Sequence, residues 1–248
     1  MRVESRLIAW PDFKSLAESG VPVFVAVGAH EEHGPHCSLE TDTIMSNALA
    51  ERVADHFNGL LLPPIQYGQC FTTSKYPGTI TLRSETLTAL ALDIARGVRD
   101  AGATNLIFVN GHFGNKAPVE TAIAKMAEEG FPCHLLDYPG MVEICDRVME
   151  SKPPRAFFYH ADEFETSVVL AACPEGVDMT KAVPCYPEFP EDYDQKEYML
   201  SDFNPIGVFG DPTKASAEKG CIFLDELTKY AIPEIEEFMA AVRERSKQ

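Results

Sequence analysis

No run of apolar residues in this 248-residue chain approaches the roughly 20 needed to span a bilayer. The first residues, Met1-Arg2-Val3-Glu4-Ser5-Arg6, are charged and lead into only a short apolar stretch, which is not the pattern of a secretory signal. There is no CxxC pair. The seven cysteines are odd in number and scattered, which argues against a disulfide framework and fits reduced thiols in a cytoplasmic enzyme. Basic residues are few: 21 Lys and Arg stand against 38 Asp and Glu, a formal net charge of −17. Neither nucleic acid nor an anionic membrane surface is therefore an expected partner. Low-complexity tracts, repeats and long linkers are missing too, so a single domain over residues 1–248 is expected.

What is present alternates. Val21–Val27 is short, apolar and β-branched, as suits a buried parallel strand, and Gly28 closes it. Thr43–Phe57 has helical spacing. Leu60–Ile65 reads as a second strand. Ser84 is placed to cap a helix running to about Ala101, with Leu87, Leu90, Ile94 and Val98 on one face. Strands over Asn105–Asn110 and Cys133–Asp137 bracket a helix from about Pro118 to Glu129. A helix over Glu163–Ala172, an irregular stretch rich in Pro and aromatics over 183–205, and a helix from about Ser216 to Arg245 complete the chain. Such alternation predicts an α/β fold: three layers, with a largely parallel central sheet flanked by helices. Ligands of such sheets bind beyond the carboxyl ends of the strands, and two polar clusters lie at such ends.

The first cluster is Gly28-Ala29-His30-Glu31-Glu32-His33-Gly34-Pro35-His36, with Asp42 following at a helix start. Imidazole and carboxylate together suit Zn²⁺, Mn²⁺ or Fe²⁺; the alternative is a solvated polar loop. The second is Asn110-Gly111-His112-Phe113-Gly114-Asn115, directly after a strong strand. A lone His in a turn is more often structural than a ligand, so this cluster says little by itself. The third is His160-Ala161-Asp162-Glu163-Phe164-Glu165-Thr166, whose acids could simply complement a helix dipole.

Together these segments resemble the creatininase family. Glu31-Glu32-His33-Gly34-Pro35-His36 with Thr41-Asp42 is similar to its E-x-H-G-P-H…T-D pattern. Asn110-Gly111-His112-x-Gly114-Asn115 is similar to its N-G-H-x-x-N turn, and His160-Ala161-x-Glu163-x-Glu165-Thr166 to its H-A-x-x-x-E-T segment. Tyr76-Pro77-Gly78-Thr79, Gly210-Asp211-Pro212 and Ala217-Glu218-Lys219-Gly220 agree in order, so the likeness covers roughly residues 20–225. The resemblance implies two divalent cations (Zn, Mn or Fe). Glu31 and His112 would hold one, His33 the other, and Asp42 would bridge them. Creatininases complete the second site with a Glu two residues after the His of the N-G-H turn; here that residue is Gly114, and Glu165 is the candidate replacement ligand.

The implied chemistry is hydrolysis. A cation pair lowers the pKa of a shared water enough to give hydroxide near neutral pH. His160 is the candidate acid for the leaving group, because imidazole titrates near the operating pH, with a helix-capping role as its alternative. Glu32 either contacts substrate or faces solvent. Phe113, Gly78 and Thr79 are expected at the pocket, His36 either orients its loop or binds metal, and His30 receives no role. Creatinine itself is a poor expectation: creatininases close their pocket with aromatic side chains including tryptophans, and the one Trp here is Trp10.

A non-peptide C–N bond in a small cyclic amide or formamide is the leading substrate class. The alternatives are ring opening of an inositol-derived carbocyclic ketone and a metal-binding subunit without turnover. A phosphorylated substrate would need cations, and only Lys75, Lys116 and Arg155 stand near the motifs. The partner is then a small molecule, and the resemblance implies a homo-oligomer, often a hexamer.

Overall fold

A computed structural model describes residues 1–245. Five parallel strands form one sheet: β1 (Val3–Glu4), β2 (Val23–Val27), β3 (Leu60–Leu61), β4 (Leu106–Asn110) and β5 (Cys133–Leu136), in the order β1-β3-β2-β4-β5. Among the described residues seven α-helices connect and cover them: α1 (Trp10–Glu18), α2 (Thr41–Phe57), α3 (Ser84–Asp100), α4 (Lys116–Glu128), α5 (Met141–Val148), α6 (Glu163–Ala172) and α7 (Ala217–Arg245).

Alternation along each strand sorts the helices into two layers. Phe24 and Ala26 of β2, with Ile107 and Val109 of β4, pack with buried residues of α2, α5, α6 and α7. Val23, Val25 and Val27, with Leu106 and Phe108, face the other way onto α3, α4 and Ala17 of α1. Every residue of β2 and β4 is buried, as expected for strands covered on both faces. Each fully buried Phe or Leu contributes ~2–3 kcal/mol. The expected three-layer, parallel α/β architecture is what the chain adopts. No helix among the described residues is long and apolar enough to cross a membrane.

The connections place the site. From β2 the chain goes through α2 to β3 on one side, then returns through α3 to β4 on the other. The helices that follow the paired strands β2 and β4 therefore lie on opposite faces, leaving a crevice where the two carboxyl ends part. Val27 is paired with Asn110 there, so the loops carrying Glu31 and His112 start side by side.

Several boundaries differ from the sequence expectation. The second strand stops at Leu61, because Pro63 and Pro64 have no N–H for a ladder; Ile65 retains a single bridge to Val27. Ser84 is the first helical residue rather than the cap, with Arg83 before it and no side-chain cap bond. The strand β1 and the helices α1 and α5 were not expected. Only Ala17 of α1 is fully buried, with Phe13 and Leu16 half-covered against the same cluster. Residues 183–205 are irregular as expected, with a hydrogen-bonded turn over 191–195 and a 3₁₀ turn over Leu200–Asp202. Their aromatics pack together and onto a neighbouring segment: Phe189 lies 4.9 Å from Tyr193 and 5.2 Å from Phe158, centroid to centroid.

Helices α6 and α7 cross closely. Gly220 of α7 lies against the Ser167 carbonyl of α6, leaving no room for a Cβ. Gly220→Ala is therefore expected to destabilise the fold by ~1–3 kcal/mol through overpacking. A lowered urea midpoint at unchanged slope checks this; an unchanged midpoint would mean that the helices slide apart freely.

Candidate metal centre

Four segments converge on the crevice. The loop after β2 brings Glu31 and His33, the first turn of α2 brings Asp42, the turn after β4 brings His112, and the first turn of α6 brings Glu165. Glu31, His33 and Asp42 are each 1% exposed, so their side chains must satisfy one another or a ligand.

The hydrogen bonds fix how the imidazoles face. His112 Nε2 lies 2.8 Å from the Gln69 carbonyl oxygen, and His33 Nδ1 lies 3.2 Å from the Glu31 carbonyl oxygen. A carbonyl oxygen only accepts, so each of these ring nitrogens carries a hydrogen. The other nitrogens point inward. His112 Nδ1 lies 2.9 Å from Glu31 Oε2 and 3.3 Å from Asp42 Oδ2. His33 Nε2 lies 3.2 Å from Asp42 Oδ1 and 3.5 Å from Glu165 Oε2. Yet Glu31 Oε2, His33 Nε2 and Asp42 Oδ2 are buried without a hydrogen-bond partner. Imidazole lone pairs aimed at carboxylates repel unless positive charge lies between them, and a proton or a metal ion supplies it.

The electrostatics agree. Burial pushes the His33 pKa down, but Asp42 and Glu165 outweigh it and hold it well above the ordinary value. At His112, burial likewise acts downward and Glu31 and Asp42 prevail. Burial raises the Glu31 and Asp42 carboxyls, while the facing imidazoles bring both below the usual range. The residues fit divalent cations. His33, Asp42 and Glu165 place donor atoms within 4.8 Å of one another, as do Glu31, Cys70 and His112. Metal–ligand bonds of ~2.0–2.3 Å accommodate such spacings.

Glu165 is turned toward this centre. Its Oε2 accepts a 2.6 Å bond from the Ala161 amide, and α6 is capped by Asp162, whose side chain accepts from Glu165 N at 3.1 Å. The cap is thus Asp162 and not His160. The second Asp162 oxygen is buried without a partner, and burial together with Glu165 pushes this carboxyl up to about 8.

His160 lies against His33 with the rings tilted at 37° and their centroids 4.5 Å apart, and its Nε2 lies 3.0 Å from Glu32 Oε1. Burial and His33 act to lower its pKa, yet Glu32 and Glu31 leave it raised overall. Glu32 also accepts from Gly34 N at 3.0 Å. It is buried and engaged with protein, so of the two expected positions it does not take the one in solvent. His36 is bonded through Nε2 to Thr166 Oγ1 at 2.9 Å and does not face the metal-capable cluster.

A cavity of about 330 Å³ opens over the centre, lined by Glu31, Asp42, His112, His160, Glu165 and the rings of Phe113, Tyr138, Phe157, Phe158, Tyr159 and Tyr193, among others. Phe113 stands at this wall as expected. Gly78 and Thr79 do not; Thr79 Oγ1 accepts from Glu32 N at 3.0 Å, and Gly78 lies beside Leu39, so both support the Glu31 loop from behind. No Lys or Arg lines the cavity among the described residues. Lys75, Lys116 and Arg155 are paired with Asp202, Asp137 and Asp194.

Two contributors carried no sequence signal. Thr73 donates its hydroxyl to Glu31 Oε1, and Phe157 reaches the cavity from a left-handed backbone (φ 63°). The run Gln69-Cys70-Phe71-Thr72-Thr73 reads as an ordinary connecting loop.

A parallel α/β sheet with carboxylates and imidazoles gathered at its topological switch point defines an α/β protein with a metal-capable centre, and the proteins it resembles are hydrolases. The chain belongs to the creatininase family: the family model for creatinine amidohydrolase matches residues 6–235. A mycofactocin precursor peptide peptidase of Mycobacterium ulcerans is 30% identical over 227 residues, covering 86% of this chain and 84% of that protein. The creatinine amidohydrolase of Pseudomonas putida is 28% identical over 235 residues, covering 88% and 90%. A 3-dehydro-scyllo-inosose hydrolase of Thermotoga maritima is 29% identical over 232 residues, covering 84% and 74%. A crystal structure of creatininase superposes with a TM-score of 0.83 at 28% identity, covering 96% of this chain and 98% of that one. Solved creatininases include a Mn form and a Zn–Zn form, both with a TM-score of 0.82 and 28% identity, covering 96% of this chain and 99% of theirs.

Protons and cations compete for the inward nitrogens. Because His33 and His112 hold protons above the ordinary range in the metal-free protein, divalent-cation affinity is expected to rise with pH, ~10-fold per unit for each proton displaced. Competition titrations between about pH 6 and pH 8 measure it; a flat profile would show that these imidazoles stand outside the binding equilibrium.

Proposed function

We propose that this chain is a two-cation hydrolase that cleaves a non-peptide C–N bond in a small cyclic amide or formamide. Glu31, His112 and Asp42 hold one cation, and His33, Asp42 and Glu165 hold the other. The observation that carries the reading is the split carboxylate of Asp42, with one oxygen facing each inward imidazole nitrogen. When bound, divalent cations supply the Lewis acidity that activates water and polarises a carbonyl.

The chain's own groups do the rest. Thr73 and the Gln69 carbonyl orient Glu31 and His112 from behind, as outer partners of metal ligands do. His160, at the cavity wall, carries the proton for the leaving nitrogen, and Glu32 fixes its ring through Nε2. The aromatic walls offer flat faces to a ring. A volume of about 330 Å³ matches the low end of small-molecule sites. A wall with carboxylates and without cations suits a neutral or cationic substrate and disfavours a phosphorylated one.

Ring opening of a carbocyclic ketone is the second reading. The same wall favours it equally, since a neutral polyol-derived ring needs no cation, and a relative of that activity stands at 29% identity. Assembly into a symmetric homo-oligomer belongs to the same proposal.

Protein purified without chelators is expected to carry close to two divalent ions per chain and to turn over members of a panel of lactams, formamides and cyclic ketones. Asp42→Asn should lower both metal content and kcat. His160→Ala should keep the metal while kcat falls ~10²–10⁴-fold, and Glu32→Gln should fall less. A wild-type chain that retains no divalent ion overturns the reading. Turnover of cyclic ketones alone selects the second one, and turnover of peptides alone rejects both substrate classes.

A further inference from the structure

The segment Gln69-Cys70 reaches the centre from outside the family motifs. Gly114 makes this possible. A Cβ at position 114 would collide with the Gln69 carbonyl oxygen; without one, that carbonyl sits 2.8 Å from His112 Nε2 and sets the ring. The next residue, Cys70, is 1% exposed. Its backbone is held on both sides: its N–H donates to Thr81 Oγ1 at 2.8 Å, and its carbonyl accepts from Thr73 Oγ1 at 3.2 Å. The same Thr73 hydroxyl donates to Glu31 Oε1. One threonine therefore positions both Glu31 and Cys70.

The thiol sulfur, a Glu31 carboxylate oxygen and a His112 ring nitrogen all lie within 4.8 Å of one another. Glu31 Oε2 is buried here without a hydrogen-bond partner. A buried cysteine is ordinarily a small apolar filler, as Cys145 is within the main core. Cys70 belongs to none of the three apolar clusters. Its surroundings are carboxylate, imidazole and hydroxyl.

We propose that Cys70 supplies a thiolate to the cation held by Glu31 and His112, giving that half of the centre a sulfur donor. The inference rests on the metal-hydrolase reading above and deepens it. On coordination the thiol releases its proton to solvent and the sulfur lone pair forms the metal bond, with no change of oxidation state. A soft donor biases the site toward thiophilic ions such as Zn²⁺ or Co²⁺ over Mn²⁺ or Mg²⁺.

The test is cobalt substitution of the full chain after chelator treatment, with bound Co²⁺ quantified. The wild-type chain should show a near-ultraviolet thiolate-to-cobalt charge-transfer band. Cys70→Ser should lose the band while retaining cobalt, and its preference for Zn²⁺ over Mn²⁺ should drop at least ~10-fold. Cys37→Ser, which alters a thiol beside Thr166, should keep the band. Cobalt bound to the wild type without the band overturns the proposal and needs no variant to fold. A band that survives Cys70→Ser, or that Cys37→Ser abolishes, overturns it as well. Cobalt that does not bind the wild type overturns the metal-hydrolase reading itself.

Discussion

Asp42 faces one imidazole with each carboxylate oxygen, at 3.2 Å from His33 and 3.3 Å from His112. Both rings are turned by backbone carbonyls so that their free nitrogens meet carboxylates. Buried ionisable groups cost several kcal/mol each unless paired, and here pairing among protein atoms leaves inward atoms of Glu31, His33 and Asp42 without hydrogen bonds. Positive charge at this point reconciles the whole arrangement. The switch in strand order provides the place, the start of α2 presents Asp42 to both sides, and the loops after β2 and β4 bring one imidazole each.

Around this charge the cavity divides its labour. The floor is acid and imidazole; the walls are rings, drawn from the turns after β4 and β5 and from the irregular stretches before α6 and α7. The basic residues near the motifs are spent on surface ion pairs. The three relatives described carry different names for their reactions, as one fold can host more than one function.

The alternation of strands and helices, and the segments bearing Glu31, His33, Asp42, His112, His160 and Glu165, were legible because each is local. A β-branched run makes a buried strand wherever it is placed, and helix α6 over Glu163–Ala172 matched its expected bounds. The roles of Glu32, Gly78 and Thr79 were not legible. Glu32 lies next in the chain to a metal-capable residue, but its carboxylate turns to His160, 128 residues away. Gly78 and Thr79 hold the back of that loop and do not reach the cavity. The strand expected over Leu60–Ile65 is shorter, Leu60–Leu61, because two prolines remove ladder donors despite the apolar composition of the run.

By itself the sequence determined a parallel α/β fold and which side chains have the chemistry to bind a cation, since periodicity and side-chain type are properties of short segments. Tertiary structure alone decided which atoms face one another. Cys70 enters the centre because Gly114 leaves room for a distant loop, and Phe157 enters the cavity through its backbone conformation. Close approach depends on what neighbouring segments leave empty, and no single segment records that.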